Sequence, residues 1–144
     1  MRAPSLALAA AVLLVPGAFA AAKPKPPEPK PKPPRLELLT ETQEAALRQR
    51  KIKLGVESKD GRRVRVTAEL VVEGIPADFH FALEPQRKRL RDGEAKIVMQ
   101  LSRRQREVLA FGEQACMRAD VNAQAKVADR VHTIHESLRK SAGC

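Results

Sequence analysis

Tryptophan and tyrosine are missing from this chain, and only four phenylalanines stand among its 144 residues. Single-stranded nucleic acid binders stack bases on aromatic platforms, and many sugar-binding sites stack rings on Trp or Tyr. Both classes lose weight. There is no glycine-rich phosphate loop. Ser58, Ser102, Ser137 and Ser141 have no neighbouring base or sharp turn to make a nucleophile of them. The histidines are His80, His132 and His135. On a helix, His132 and His135 would share a face and begin a metal site; on a strand they point apart and cannot chelate together. No carboxylate at matching spacing or free cysteine completes a set, so no cofactor or metal is expected. Beyond the N-terminus no apolar run is long enough to cross a membrane.

What is present begins with Arg2, a run from Leu6 to Val15, a break at Pro16-Gly17, and small residues at Ala18 and Ala20. This is the layout of a secretory signal, residues 1–20, with cleavage expected after Ala20. Its apolar core is too short for a span, which needs about 20 residues. No cysteine follows the cleavage point, which disfavours a lipid anchor. The whole chain carries 27 Lys and Arg against 17 Asp and Glu. Losing Arg2 leaves 26 against 17, a formal +9. Such a chain is drawn to anionic surfaces: envelope polymers, acidic lipids or nucleic acid. Export removes most nucleic acid from that set, and no specific nucleic acid is expected. In an exported chain the pair Cys116 and Cys144 predicts a disulfide. It would close a loop of about 29 residues, worth roughly 3 to 4 kcal/mol. The alternatives are two free thiols or a Cys144 that pairs between chains.

Residues 21–35 form a Pro/Lys-rich linker. From Lys23 to Arg35, seven of thirteen residues are proline and five are basic. Proline fixes φ and removes a donor, so this run is a polyproline II spacer about 40 Å long. It is either a basic contact for an anionic wall or a plain spacer. Pro24 to Pro27 also fits a Pro-x-x-Pro ligand pattern.

Residues 36–144 are one domain. Apolar residues alternate at Ile52/Leu54/Val56, Val64 through Val72, Phe79/Phe81/Leu83 and Ala95/Ile97/Met99/Leu101. That period marks strands with one buried face. Asp60-Gly61 and Asp92-Gly93 suit hairpin turns with positive φ. Ser102-Arg-Arg-Gln105 is a capping box and opens a helix over about 103–115. From Ala119 to Val127 the alternation returns, yet Val127, Val131, Ile134 and Leu138 also fit a helical stripe. The strict alternation favours two strands around a turn near Asp129, with a C-terminal helix as the alternative. The expected strands are 36–39, 51–57, 63–73, 78–83, 94–101, 119–127 and 131–139. This is an all-β chain: a seven-stranded antiparallel sandwich with one short helix before the last two strands. In strand count, in the helical insertion and in its basic, aromatic-poor strands, 36–144 resembles the immunoglobulin-like modules of secreted bacterial proteins. The antibody hallmarks of Trp, tyrosine corner and second-strand cysteine are absent, and the resemblance brings no site residue with it. Phe79, Phe81 and Phe111 are expected in core or helix packing, with His80 turned to the surface.

Three basic clusters remain. Arg62, Arg63 and Arg65 sit at one hairpin; Arg87, Lys88, Arg89 and Arg91 precede another; Arg103, Arg104 and Arg106 open the helix. Positive charge there opposes the helix dipole at a cost of roughly a few tenths of a kcal/mol. Gathered on one edge, the clusters would form an anion-binding face; scattered, they are charge that keeps the domain soluble. The expected function is a non-enzymatic, exported binding domain on a basic stalk, with anionic envelope polymers or another extracytoplasmic protein as partner. The alternatives are a small metal-dependent hydrolase using His132, His135 and Glu136, and a structural subunit that pairs through a strand edge.

Overall fold

The structure, a computed structural model, describes residues 33–59 and 61–144. The expected signal at 1–20, most of the linker at 21–35, and Asp60 of the Asp60-Gly61 turn lie outside the described residues. The chain runs β1 (Arg35–Leu38), α1 (Gln43–Gln49), β2 (Lys51–Glu57), β3 (Arg63–Val72), β4 (Phe79–Ala82), β5 (Gln86–Arg89), β6 (Glu94–Gln100), α2 (Arg103–Gln114), β7 (Ala119–Val127) and β8 (Arg130–Leu138). Within the described residues the chain is mostly β, in two sheets of antiparallel strands. One has the order β1-β2-β6 and the other β4-β3-β7-β8, with β5 also paired to β3.

The period-two residues build the core. Val64, Val66, Ala68, Leu70 and Val72 of β3 lie beside Ala119, Val121, Ala123, Ala125 and Val127 of β7 on the inner face, all buried. They meet Ile52, Leu54 and Val56 of β2 and Ile97 and Met99 of β6. Each large side chain so buried contributes about 1.5 to 3 kcal/mol. Asp92 and Gly93 both have positive φ, 54° and 79°, and the backbones of Arg91 and Glu94 bond each other across them, the hairpin turn their sequence predicts. The segment after 127 is strand, turning at Ala128-Asp129.

All described helix is at one end, where β3 and β8 finish and β2 and β7 begin. Ser102 and Gln105 complete the capping box of α2, Leu109 enters the core, and Gly112 lies on Val72. A Cβ at 112 would come within 2.8 Å of that valine's Cγ1, so only glycine allows this approach. Gln43 of α1 donates to the Met117 carbonyl at 3.0 Å. The Cys116–Cys144 disulfide ties the end of α2 to the C-terminus.

Two expectations change. There are eight strands among the described residues, not seven, and two helices, not one. β5, Gln-Arg-Lys-Arg, has no apolar alternation and is held by backbone bonds to β3. β4 and β5 are successive pieces of one edge: β4 pairs Phe79 with Val72 through Ala82 with Glu69, and β5 pairs Gln86 with Val66 through Arg89 with Arg63. Between them the register slips by one residue, a bulge at Leu83-Glu84-Pro85. α1 is short; its cap Thr42, whose hydroxyl accepts from the Ala45 N–H, is the signal that was there to read.

The sheets meet along two lines. Arg139 bonds Glu41 and Gln43 through its backbone, and Thr42 pairs with it in parallel, so the end of β8 runs alongside the chain leaving β1. On the other side the Lys88 Nζ donates to the Lys96 carbonyl at 2.6 Å, from β5 to β6.

Candidate anion-binding face

On the outer face of the larger sheet the bulge has a chemical result. Phe79 and Phe81 point inward with Val72 and Leu70. If that parity continued, Arg87 and Arg89 would also point inward. The one-residue slip reverses it: Gln86 and Lys88 take the inner side, and Arg87 and Arg89 turn out. There Arg89 faces Arg63, Arg87 faces Arg65, and Arg65 faces Lys126 on its other side. Five exposed cations thus occupy two rows across β5, β3 and β7. Strands lie about 4.8 Å apart and alternate residues about 6.7 Å along each strand. Among the described residues none of the five has an ion-pair partner. They line, with Val64, Lys88 and Ala128, a shallow depression of about 450 Å³ that contains no acidic residue.

The rest of the same face is ordinary by contrast. The next row is neutral, Thr67, Gln124 and Thr133. Beyond it, the carboxylates have partners. Glu69 meets His80 at 2.8 Å, and Asp120 accepts from Arg118 at 3.0 Å and from Ser137 at 2.6 Å. Burial pushes the Asp120 carboxyl up, but the bonds from Arg118 and Ser137, with the charges of Arg118 and His135, outweigh it. They hold the carboxyl below its ordinary value of 3.8. Unopposed cations at directly facing positions destabilise a sheet. At the β3 N-terminal end this chain places three such pairs and no carboxylate, which folding alone does not require.

Of the ten cations singled out by sequence, the fold brings Arg63, Arg65, Arg87 and Arg89 together. Arg62 is in the adjoining loop, its carbonyl accepting from the Leu90 N–H. Lys88 turns away to the β5–β6 line. Arg91 opens the Asp92-Gly93 turn, in a depression of mixed charge with Arg35, Glu37 and Glu57. Arg103, Arg104 and Arg106 stand on α2, at the far end of β3. Arg103 there pairs with Glu107 at 3.0 Å. The three clusters therefore do not share one edge. Lys126 was not singled out, although its outward parity in the 119–127 alternation was visible.

The histidine pair does not converge. His132 lies opposite Ala125, on the inner side, and accepts from the Leu36 N–H through Nδ1 at 3.0 Å; His135 lies opposite Asn122, on the outer side. Among the described residues no three His, Cys, Asp or Glu side chains gather to hold a metal. No helix among them is long and apolar enough to cross a membrane.

A scan against protein families finds no match for this chain, and a search of curated proteins finds no relative.

Proposed function

We propose that this chain is an exported, non-catalytic binding module that holds an anionic polymer on the outer face of β5, β3 and β7. One observation carries the reading: Arg63, Arg65, Arg87, Arg89 and Lys126 face one another in two rows without a carboxylate among them. Rows of cations spaced about 5 to 7 Å apart suit a chain of repeating negative charges better than a single small anion. The signal-like N-terminus and a disulfide-bonded domain favour a site outside the cytoplasm, where envelope polymers are the available polyanions. The basic Pro/Lys segment adds charge to the same attraction.

We also read the fold as an immunoglobulin-like sandwich. The orders β1-β2-β6 and β4-β3-β7-β8 correspond to strands A-B-E and C′-C-F-G of that architecture, with the broken edge β4/β5 as C′. The parallel approach of β1 and β8, and α2 between β6 and β7, support this reading. Such sandwiches commonly serve as recognition modules, and the recognition here uses a sheet face.

The test is binding of the chain to immobilised linear polyphosphate between about 0.02 and 0.3 M salt. Five neutralised charges predict that log K falls against log salt with a slope near −3.5, at about 0.7 per charge. The variant R63T/R65T/R87T/R89T is expected to lose most of that slope and at least tenfold in affinity at low salt. Unchanged binding by the variant refutes the face as the site.

A further inference from the structure

At the opposite end of the sandwich the chain exposes apolar surface. Phe111 on α2 is 70% exposed, Ile75 in the β3–β4 loop 85%, and Phe79 42%. This corrects the expectation that Phe79 and Phe111 are packed away. With Val72, Val108 and Met117 they line a groove of about 570 Å³ between α2 and that loop, with Glu73 and Glu107 at its margin; each of these has one carboxylate oxygen engaged, Glu73 by the Arg118 N–H and Glu107 by the Arg103 guanidinium, both at 3.0 Å. Residues 36–144 contain three aromatic side chains, and two of them are in this groove.

We propose that this groove binds the Pro/Lys segment, residues 23–34, of a second copy of the same chain. The inference is independent of the cationic face, which lies at the other end of β3. Three observations choose the occupant. The groove combines aromatic and aliphatic walls with acidic residues, the chemistry that accepts a proline-rich, cationic strand; prolines dock on the rings and lysines meet the carboxylates. The segment is the one part of this sequence that matches it, with prolines at 24, 26, 27, 29, 31, 33 and 34 and lysines at 23, 25, 30 and 32. A polyproline II strand is extended before it binds and loses little entropy.

Reach decides between the same chain and another. Arg35 opens β1 opposite Glu57, at the end of the sandwich away from the groove. Along β3 the two ends are about 30 Å apart. The eight residues from Pro27 to Pro34 cover about 25 Å as polyproline II. Pro24 to Pro27 therefore meets the groove of another molecule. Segment and groove are different surfaces, so the contact is head-to-tail and propagates.

Sedimentation of three proteins tests this: the chain, a Δ23–34 deletion, and F111D. Phe111 is exposed, so F111D leaves the core intact. The chain is expected to gain mass with concentration. F111D and Δ23–34 are each expected to remain monomeric, with self-association weakened by about a hundredfold or more in F111D. Mixed together they are expected to form a one-to-one complex and stop there, because one supplies the segment and the other the groove. Self-association of Δ23–34 at the level of the unaltered chain overturns the proposal and points to groove-on-groove pairing. A chain that stays monomeric at every concentration, or a mixture without complex, also overturns it.

Discussion

Replacing Arg65 by threonine should make this protein more stable while weakening the anion binding proposed for this face. Arg65 is the centre of the cationic rows, directly opposite both Arg87 and Lys126. A facing like-charge pair costs about 0.2 to 1 kcal/mol, so removing one partner of two pairs recovers roughly 0.5 to 1.5 kcal/mol. Threonine suits an exposed strand position and gives up little of its own. For a domain of this size the gain corresponds to a rise of about 2 to 7 °C in Tm. The origin of the gain fixes its salt dependence: at about 1 M salt the screening length falls to about 3 Å and the advantage should nearly vanish. Arg118→Thr supplies a control of opposite sign, since Arg118 is engaged with Asp120 at 3.0 Å. Thermal unfolding of the chain and both variants at low and high salt is the assay. Destabilisation by R65T at low salt, or a gain of equal size in 1 M salt, would refute the reasoning that these cations are unopposed.

Removing the disulfide with C116S/C144S should cost about 3 to 4 kcal/mol in urea unfolding, because the bond spans a separation of 28 residues; a loss below about 1 kcal/mol would contradict this. Ser102→Ala removes half of the capping box of α2 and should cost about 1 kcal/mol, read in the same assay. Asp120 is held below its ordinary value of 3.8 in the folded chain, so its stabilisation is complete above that value and is lost as pH falls through the folded value. Stability followed from pH 6 down to about 2 should therefore show the chain and D120N converging in acid. A constant gap across that range would contradict the assigned shift.

Much of the architecture was readable because one physical signal, burial of alternate residues, is written into the long central strands. Val64 to Val72 and Ala119 to Val127 could alternate so strictly only with one side against a core. The competing helical stripe through Val131, Ile134 and Leu138 lost because β8 pairs with β7 along its whole length. β5 was hidden because it gains its place from the edge of β3 and carries no apolar signal of its own. The cationic face was hidden for the same reason. Whether Arg87 and Arg89 point in or out depends on a one-residue bulge before them, and Leu83-Glu84-Pro85 marks a break without stating its register. Lys126 could be placed beside Arg65 only once β7 was known to neighbour β3. Phe111 seemed to belong inside because apolar residues usually do; which side of α2 meets the sheet is set by Gly112 and Leu109.

The central claim is tested most directly by amide chemical-shift mapping of the chain titrated with linear polyphosphate at low salt. Shifts that, within residues 36–144, are confined to 63–65, 87–89 and 126, reversed by added salt and absent in R65T/R87T, are what the account predicts. Shifts centred on Arg103–Arg106 of α2, or none within the domain, would contradict it.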